Sequence, residues 1–240
     1  EAEEAETALK ASALLDATRR DDAGPAEQPP AVALPGRGKR VLFVDHRDSF
    51  VHTLAGYVRA TGAEVTTLRA GFDAAKIDEI APQLAILSPG PGRPADFDVG
   101  GTLSALLERG IPVFGVCLGL QGIVEYFGGE LGVLDVPVHG KPSFVAVQGS
   151  GLFEGLPARP EVGRYHSLFA VRDKVPECLR IVAETDDGIV MAVEHKSLPV
   201  AAVQFHPESI MSFSGDAGRK LIGNVLERLA SVGGAGAAAA

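Results

Sequence analysis

Cys117 is the residue on which chemistry could turn. It stands in IPVFGVCLGLQG, Ile111 to Gly122, where a short apolar run fit for a buried strand meets Gly115 and Gly119 and an apolar segment continues to Phe127. G-x-C-x-G at a strand-to-helix junction projects a nucleophile from the carboxyl end of a strand. The glycines let backbone pack close around it, and the helix behind it offers free N–H groups. Such a site activates a thiol and stabilises an oxyanion. Read alone, Cys117 is also a small buried hydrophobe closing a core strand. A nucleophile needs a base, and of His46, His52, His139, His166, His195 and His206 the last stands out. His206 follows the apolar run Val200 to Phe205 and opens H-P-E. Pro207 biases it to an extended backbone, in which residues two apart point the same way, so Glu208 can accept a hydrogen bond from the ring and fix its tautomer. His46 and His52 are placed at the mouth of the sheet and His195 in a charged hairpin turn. Ser88 to Gly92, S-P-G-P-G, is either a rigid turn or a loop whose exposed N–H groups bind a carboxylate or oxyanion.

Several function classes are excluded by what surrounds these residues. The 240 residues can bury a sizeable core, and with 46% hydrophobic and 22% charged residues the composition is that of a soluble globular protein. A net charge of −9 with no dense Lys/Arg cluster argues against nucleic acid. No uninterrupted apolar run is long enough for a membrane span and no signal-peptide pattern opens the chain, so the cytoplasm is expected. Two cysteines, Cys117 and Cys178, lack metal-ligand spacing, so neither a zinc site nor a disulfide framework is indicated. Neither G-x-x-x-x-G-K-[ST] nor G-x-G-x-x-G occurs, so ATP and NAD have no support.

The elements that must position the site follow from hydrophobic periodicity. Residues 1–20 predict a helix over Glu3 to Arg19, acidic at its start and basic at its end; 21–39, rich in Pro and Gly, predicts a linker; 231–240 predicts a disordered tail. Between them, strands are expected at Val41–Val44, Glu64–Leu68, Leu84–Leu87 and Val113–Val116. Helices are expected from Asp48 to about Thr61, at Ala74–Ile80, at Val99–Arg109 and after Cys117. Such β-α alternation predicts a mostly parallel, doubly wound central sheet with flanking helices, whose ligands sit at the carboxyl ends of the strands. After Phe127, strand-like segments at Val136–Val147, Glu161–Tyr165, Leu168–Val171, Leu179–Ala183, Ile189–Glu194 and Val200–Phe205 predict an added antiparallel β portion, and a last helix runs from about Gly215 to Ala230.

GVCLGLQ (Gly115 to Gln121), SPGPG, YHSL (Tyr165 to Leu168) and FHPES (Phe205 to Ser209) together resemble the class I, triad-type glutamine amidotransferases over residues 40–230. VDHRDSF (Val44 to Phe50), HGK (His139 to Lys141) and RYHSL (Arg164 to Leu168) resemble the glutaminase component of anthranilate synthase within that family. The N-terminal helix looks like the end of a chorismate-utilising synthase domain, as in proteins where synthase and amidotransferase are fused. The resemblance implies an α/β fold of the class I amidotransferase type and a Cys117–His206–Glu208 triad. It implies that Gly90 and Leu118 give backbone N–H groups to an oxyanion, and that Gly90, Gly92, Gln121, Ser167 and Leu168 hold L-glutamine. No metal or cofactor is implied in this domain; the synthase partner would use Mg. The implied product is anthranilate, with aminodeoxychorismate, a phenazine-type aminodeoxyisochorismate or a non-catalytic scaffold as alternatives. A γ-glutamyl hydrolase-like enzyme would share the elbow, but SPGPG and YHSL favour free glutamine. The implied partner is a chorismate-utilising synthase, in cis or as a separate chain, with a homodimer formed through the full-length protein. Leu120 departs from the His or Met of many relatives, and His46-Arg47 from Asn-Tyr.

Overall fold

A computed structural model describes residues 34–148, 151–212 and 216–232. The helix expected over Glu3 to Arg19, most of the linker and the 231–240 tail beyond Val232 lie outside the described residues. Leu34 to Lys39, expected as the end of the linker, instead turns back on the fold. Gly36 N–H donates to Thr61 O at 2.9 Å, and Lys39 N–H to Gly36 O at 2.9 Å.

Among the described residues nine strands form one sheet. They are β1 (Arg40–Asp45), β2 (Glu64–Arg69), β3 (Leu84–Leu87), β4 (Val113–Val116), β5 (Leu131–Val147), β6 (Glu161–Ala170), β7 (Leu179–Thr185), β8 (Val190–His195) and β9 (Val200–Val203), in the order β2-β1-β3-β4-β9-β8-β7-β5-β6. The first five in that order are mutually parallel and the remaining pairings are antiparallel. The helices are α1 (Val51–Ala60), α2 (Ala75–Ile80), α3 (Val99–Glu108), α4 (Leu118–Tyr126) and α5 (Ala217–Val232).

The period of two along each parallel strand divides the core. Val41, Phe43, Leu84, Ile86, Phe114, Val116 and Val203 share one face with Leu54 and Val58 of α1 and Leu221, Ile222 and Val225 of α5. Leu42, Val44, Ala85, Leu87, Val113 and Ala202 face Ile77 of α2, Leu103 and Leu106 of α3 and Ile123 of α4. Helix α1 buries Val51, Leu54, Ala55 and Val58, the i, i+3, i+4, i+7 stripe of a helix on a sheet. Burying a side chain such as Leu54 or Phe114 stabilises the fold by roughly 1.5–3 kcal/mol each. Leu120, for which the sequence offers no account, is wholly buried in the α3/α4 core face.

The boundaries differ from expectation where polar side chains interrupt apolar runs. Glu161 to Ala170 is one strand rather than two, since Tyr165 and His166 stay in the ladder opposite His139 and Val138, and Ser167 spans the irregular step before Leu168 pairs with Val133. Strand β5 begins at Leu131, five residues early, and its pairing with β6 is bulged between Val133 and Val138 and between His139 and Lys141. Asp48 does not open α1 directly; its carboxylate accepts from Phe50 N–H at 2.7 Å, one step before the helix. Strand β9 stops at Val203, and His206 makes an isolated bridge to Gly163 of β6.

Candidate active site

Cys117 stands between β4 and α4 with φ 54° and ψ −100°, a conformation L side chains rarely adopt. Holding a residue there costs on the order of 1–3 kcal/mol, and the surroundings fix it. Cys117 N–H donates to Val203 O at 2.8 Å, and Cys117 O accepts from Gln121 N–H at 3.1 Å. The flanking glycines are required by close approach: a Cβ on Gly115 would lie 2.6 Å from Gly119 C, and one on Gly119 2.5 Å from Leu87 O. Among the described residues no group accepts from the N–H of Leu118, the first of α4, or from that of Gly90. Gly90 itself is pressed against Leu118 and His46, so the S-P-G-P-G loop lies beside the start of α4.

His206 is 1% exposed and Glu208 2%. Nδ1 of His206 and Oε1 of Glu208 are 2.8 Å apart, the pairing expected from H-P-E. The ring is further placed by its backbone N–H, which donates to Gly163 O at 3.0 Å, and by Phe50 and Tyr165, whose ring centroids lie 5.3 and 5.0 Å away. Burial opposes a charge on this imidazole, but interactions with Cys117 and then Glu208 outweigh it and push its pKa up to about 10. Nε2 is buried and does not reach the geometry of a formed hydrogen bond, so the Cys117 interaction is a close electrostatic one in this state of the site.

Gly90, Gly92, Cys117, Gln121, Ser167 and Leu168 line one cleft, together with Pro137 to His139 of β5 and Tyr165 and His166 of β6. Its empty volume is about 540 Å³, solvent mouth included. All residues expected to hold a ligand are therefore brought together. Leu118, His206 and Glu208 do not line the cleft; they reach it through Cys117. The cleft floor is hydrogen-bonded, with Gln121 Nε2 donating to Leu168 O at 3.2 Å and His166 Nδ1 meeting the same carbonyl at 2.9 Å. Arg164 Nε donates to His166 Nε2 at 3.1 Å, so His166 accepts there and carries its proton on Nδ1. Burial, then the neighbouring guanidinium, lowers the His166 pKa to about 4.

The other histidines divide. His46, placed by the sequence at the mouth of the sheet, is wholly buried behind the S-P-G-P-G loop, with Nδ1 3.0 Å from Ser88 O. Burial lowers its pKa to about 4. His52 is exposed, His139 is exposed at the cleft rim edge-on to Tyr165, and His195 accepts backbone N–H bonds from Ser197 and Leu198. Gln204 is a site residue that sequence reasoning missed: it is wholly buried and its Nε2 lies 3.5 Å from Cys117 Sγ. The signal was available, as Gln204 is the one polar residue in the run Val200 to Phe205. No group of three or more His, Cys, Asp or Glu among the described residues could hold a metal ion, and none of the described helices is long and apolar enough to cross a membrane.

A thiol on a strained turn, a buried imidazole–carboxylate pair and two unused N–H groups beside a polar cleft form a site for acyl transfer from an amide. The class-I glutamine amidotransferase family profile matches residues 42–224, and the chain belongs to that family. It is 62% identical over 231 residues to an anthranilate synthase of Azospirillum brasilense, covering 96% of this chain but 32% of that protein's length. It is 43% identical over 195 residues to anthranilate synthase component 2 of Methanocaldococcus jannaschii, covering 79% of this chain and 97% of that one. Among solved structures, a Thermoplasma acidophilum protein described as part of a GMP synthase superposes with a TM-score of 0.72 at 23% identity, covering 80% of this chain and 94% of that one; this likeness concerns the fold.

Proposed function

We propose that this chain is the glutaminase portion of a chorismate-utilising synthase and supplies ammonia for anthranilate formation. The observation that carries the reading is the buried His206–Glu208 pair, 2.8 Å long, set against a cysteine held at positive φ at the start of a helix. Cys117 Sγ attacks the side-chain amide carbon of L-glutamine, and the N–H groups of Gly90 and Leu118 take the developing oxyanion. His206, holding the proton from the thiol, passes it to the leaving nitrogen as ammonia departs, and Glu208 keeps the ring in the tautomer that does so. Water activated by the now neutral His206 then releases glutamate from the thioester. Gly92, Gln121, Ser167 and Leu168 hold the substrate's backbone end in the cleft. The names of the relatives support the acceptor: one is an anthranilate synthase about three times as long as the match, another a separate component 2.

The test has two arms. A diazoketone analogue of glutamine should alkylate Cys117 and spare Cys178, read by peptide mass mapping. With the synthase present, Cys117→Ala should abolish glutamine-dependent anthranilate and leave ammonia-dependent anthranilate intact. Labelling of Cys178 alone, or persistent glutamine-dependent product, refutes the nucleophile; aminodeoxychorismate in place of anthranilate refutes the acceptor.

A further inference from the structure

We infer that Gln204 is a further catalytic residue: its side-chain amide donates an N–H hydrogen bond to the Cys117 sulfur, fixing the sulfur's position and stabilising its negative charge. The inference rests on the reading of Cys117 as the nucleophile. Gln204 follows directly on β9, is wholly buried, and its backbone N–H donates to Met191 O at 2.8 Å. Its Nε2 is 3.5 Å from Sγ.

Which end of the amide faces the sulfur decides what it does, since an NH2 attracts a thiolate and a carbonyl repels it. The hydrogen bonds around Gln204 settle that orientation without reference to the sulfur. Leu168 O can only accept, so the Gln121 group 3.2 Å from it must be the NH2. That same nitrogen lies 3.4 Å from the Gln204 side chain, which must therefore present its oxygen there. The remaining end of the Gln204 amide, turned toward Cys117, is then the NH2. His166 Nδ1–H, donating to the same Leu168 carbonyl at 2.9 Å, holds the far end of the chain. Gln121 thus donates both to Leu168 at the cleft floor and to Gln204, and Gln204 in turn donates to Cys117, so one connected series links the floor to the nucleophile. The contact approaches Sγ from a residue distinct from His206 and from Tyr165, whose carbonyl lies 3.9 Å from the sulfur and can only accept, so Gln204 is a donor to Sγ separate from the imidazole. A side chain present only to fill space would not need an amide: its neighbours Val203 and Phe205 are buried and apolar.

The experiment uses the full chain carrying Cys178→Ser, so that Cys117 is the one reactive thiol. Iodoacetamide alkylation at neutral pH and the ultraviolet thiolate band are compared across variants. Gln204→Met keeps the volume and removes the donor, and should slow alkylation about tenfold and weaken the band. Gln204→Glu keeps the shape and puts an anion beside the sulfur, and should slow it further. Gln121→Met leaves Gln204 in place but removes the donor that orients it, and should slow alkylation about threefold. Wild-type rate and band in Gln204→Met, or Gln204→Glu no slower than Gln204→Met, overturn the inference. Should neither Gln204 variant fold, an unchanged rate in Gln121→Met overturns it. An inert Cys117 in the parent would remove the nucleophile itself, whereas a reactive parent with indifferent variants removes Gln204 alone.

Discussion

Replacing Gly119 by alanine tests whether the elbow is held by backbone contact. The added Cβ would lie 2.5 Å from Leu87 O and 3.0 Å from Leu87 Cβ, and reaching an ordinary contact of 3.4 Å requires a shift of about 0.9 Å. Leu87 cannot supply it. It ends β3, which is paired on both sides, Val44 opposite Leu87 on one and Gly115 on the other. The start of α4 must move instead, carrying Cys117 and the Leu118 N–H with it. A misplacement of about 1 Å in a reacting group costs on the order of 10²-fold in rate. Overpacking of this kind costs about 1–3 kcal/mol, a melting point lower by roughly 2–4 °C per kcal/mol at this size. The assay is glutamate release from glutamine with the synthase partner present, alongside thermal unfolding. Gly56→Ala is the control, because a Cβ on this exposed α1 residue meets nothing within 4 Å. Undiminished kcat/KM in Gly119→Ala would refute the account of the elbow, whatever the change in melting point.

Glu208→Gln should lower kcat by roughly 10²–10⁴-fold with circular dichroism unchanged, because the ring loses its orienting anion; a near-normal rate would remove Glu208 from the triad. Cys117→Ser should bring the His206 pKa down from about 10, observed on the ring protons by NMR, and an unchanged value would show that the thiol does not hold the charge. Because the folded value lies above the ordinary 6.5, the stability this histidine contributes is complete below about pH 6.5 and is lost as pH rises toward 10. Urea unfolding across that range should therefore fall less steeply in Cys117→Ser than in the parent. His46 and His166 have the opposite sign: held near 4, they stay neutral in the fold while the unfolded imidazoles take up protons, so stability drops as pH falls from 6.5 toward 4. His166→Gln should flatten that decline, and an identical slope would contradict the buried neutral ring.

The centre of the parallel half was legible because β1, β3, β4 and β9 are each built on a short apolar run, and α1 shows its 3.6-residue period. The His206–Glu208 pair was legible for a local reason too: Pro207 fixes the backbone over the two residues that must meet. What the sequence hid depends on partners far along the chain. Nothing local brings Phe50 and Tyr165 against the ring of His206, or sets Ser88 O beside the ring of His46. The polar pair His166-Ser167 reads as a break in a strand because the pattern registers polarity, whereas the strand is continued by its backbone. Gln204 escaped notice because a single amide in an apolar run resembles a tolerated exception until its partners are known.

Strand β9 explains why nucleophile and base arrive in register. It pairs in parallel with β4, Val116 opposite Val203, and antiparallel with β8, Ala192 opposite Val203, so it is the seam between the two halves of the sheet. Cys117 follows β4 and donates to Val203 O, while Gln204, His206 and Glu208 follow β9 on that same residue's carboxyl side. The spacing of thiol and imidazole along the sheet thus starts from one strand pairing and a few residues of chain, and the contacts of His206 with Gly163, Phe50 and Tyr165 then fix the ring. A one-residue slip of β9 against β4 would turn its side chains to the other face of the sheet and carry Gln204, His206 and Glu208 about 3.3 Å along the strand. Both core faces oppose that slip, since Ala202 packs with Leu87 and Val113 while Val203 packs with Phe114 and Val116. The hydrophobic alternation that stabilises the sheet therefore also sets the catalytic spacing. Changes to Ala202 or Val203 should therefore act on the chemical step, lowering kcat in glutamate release more than they raise KM.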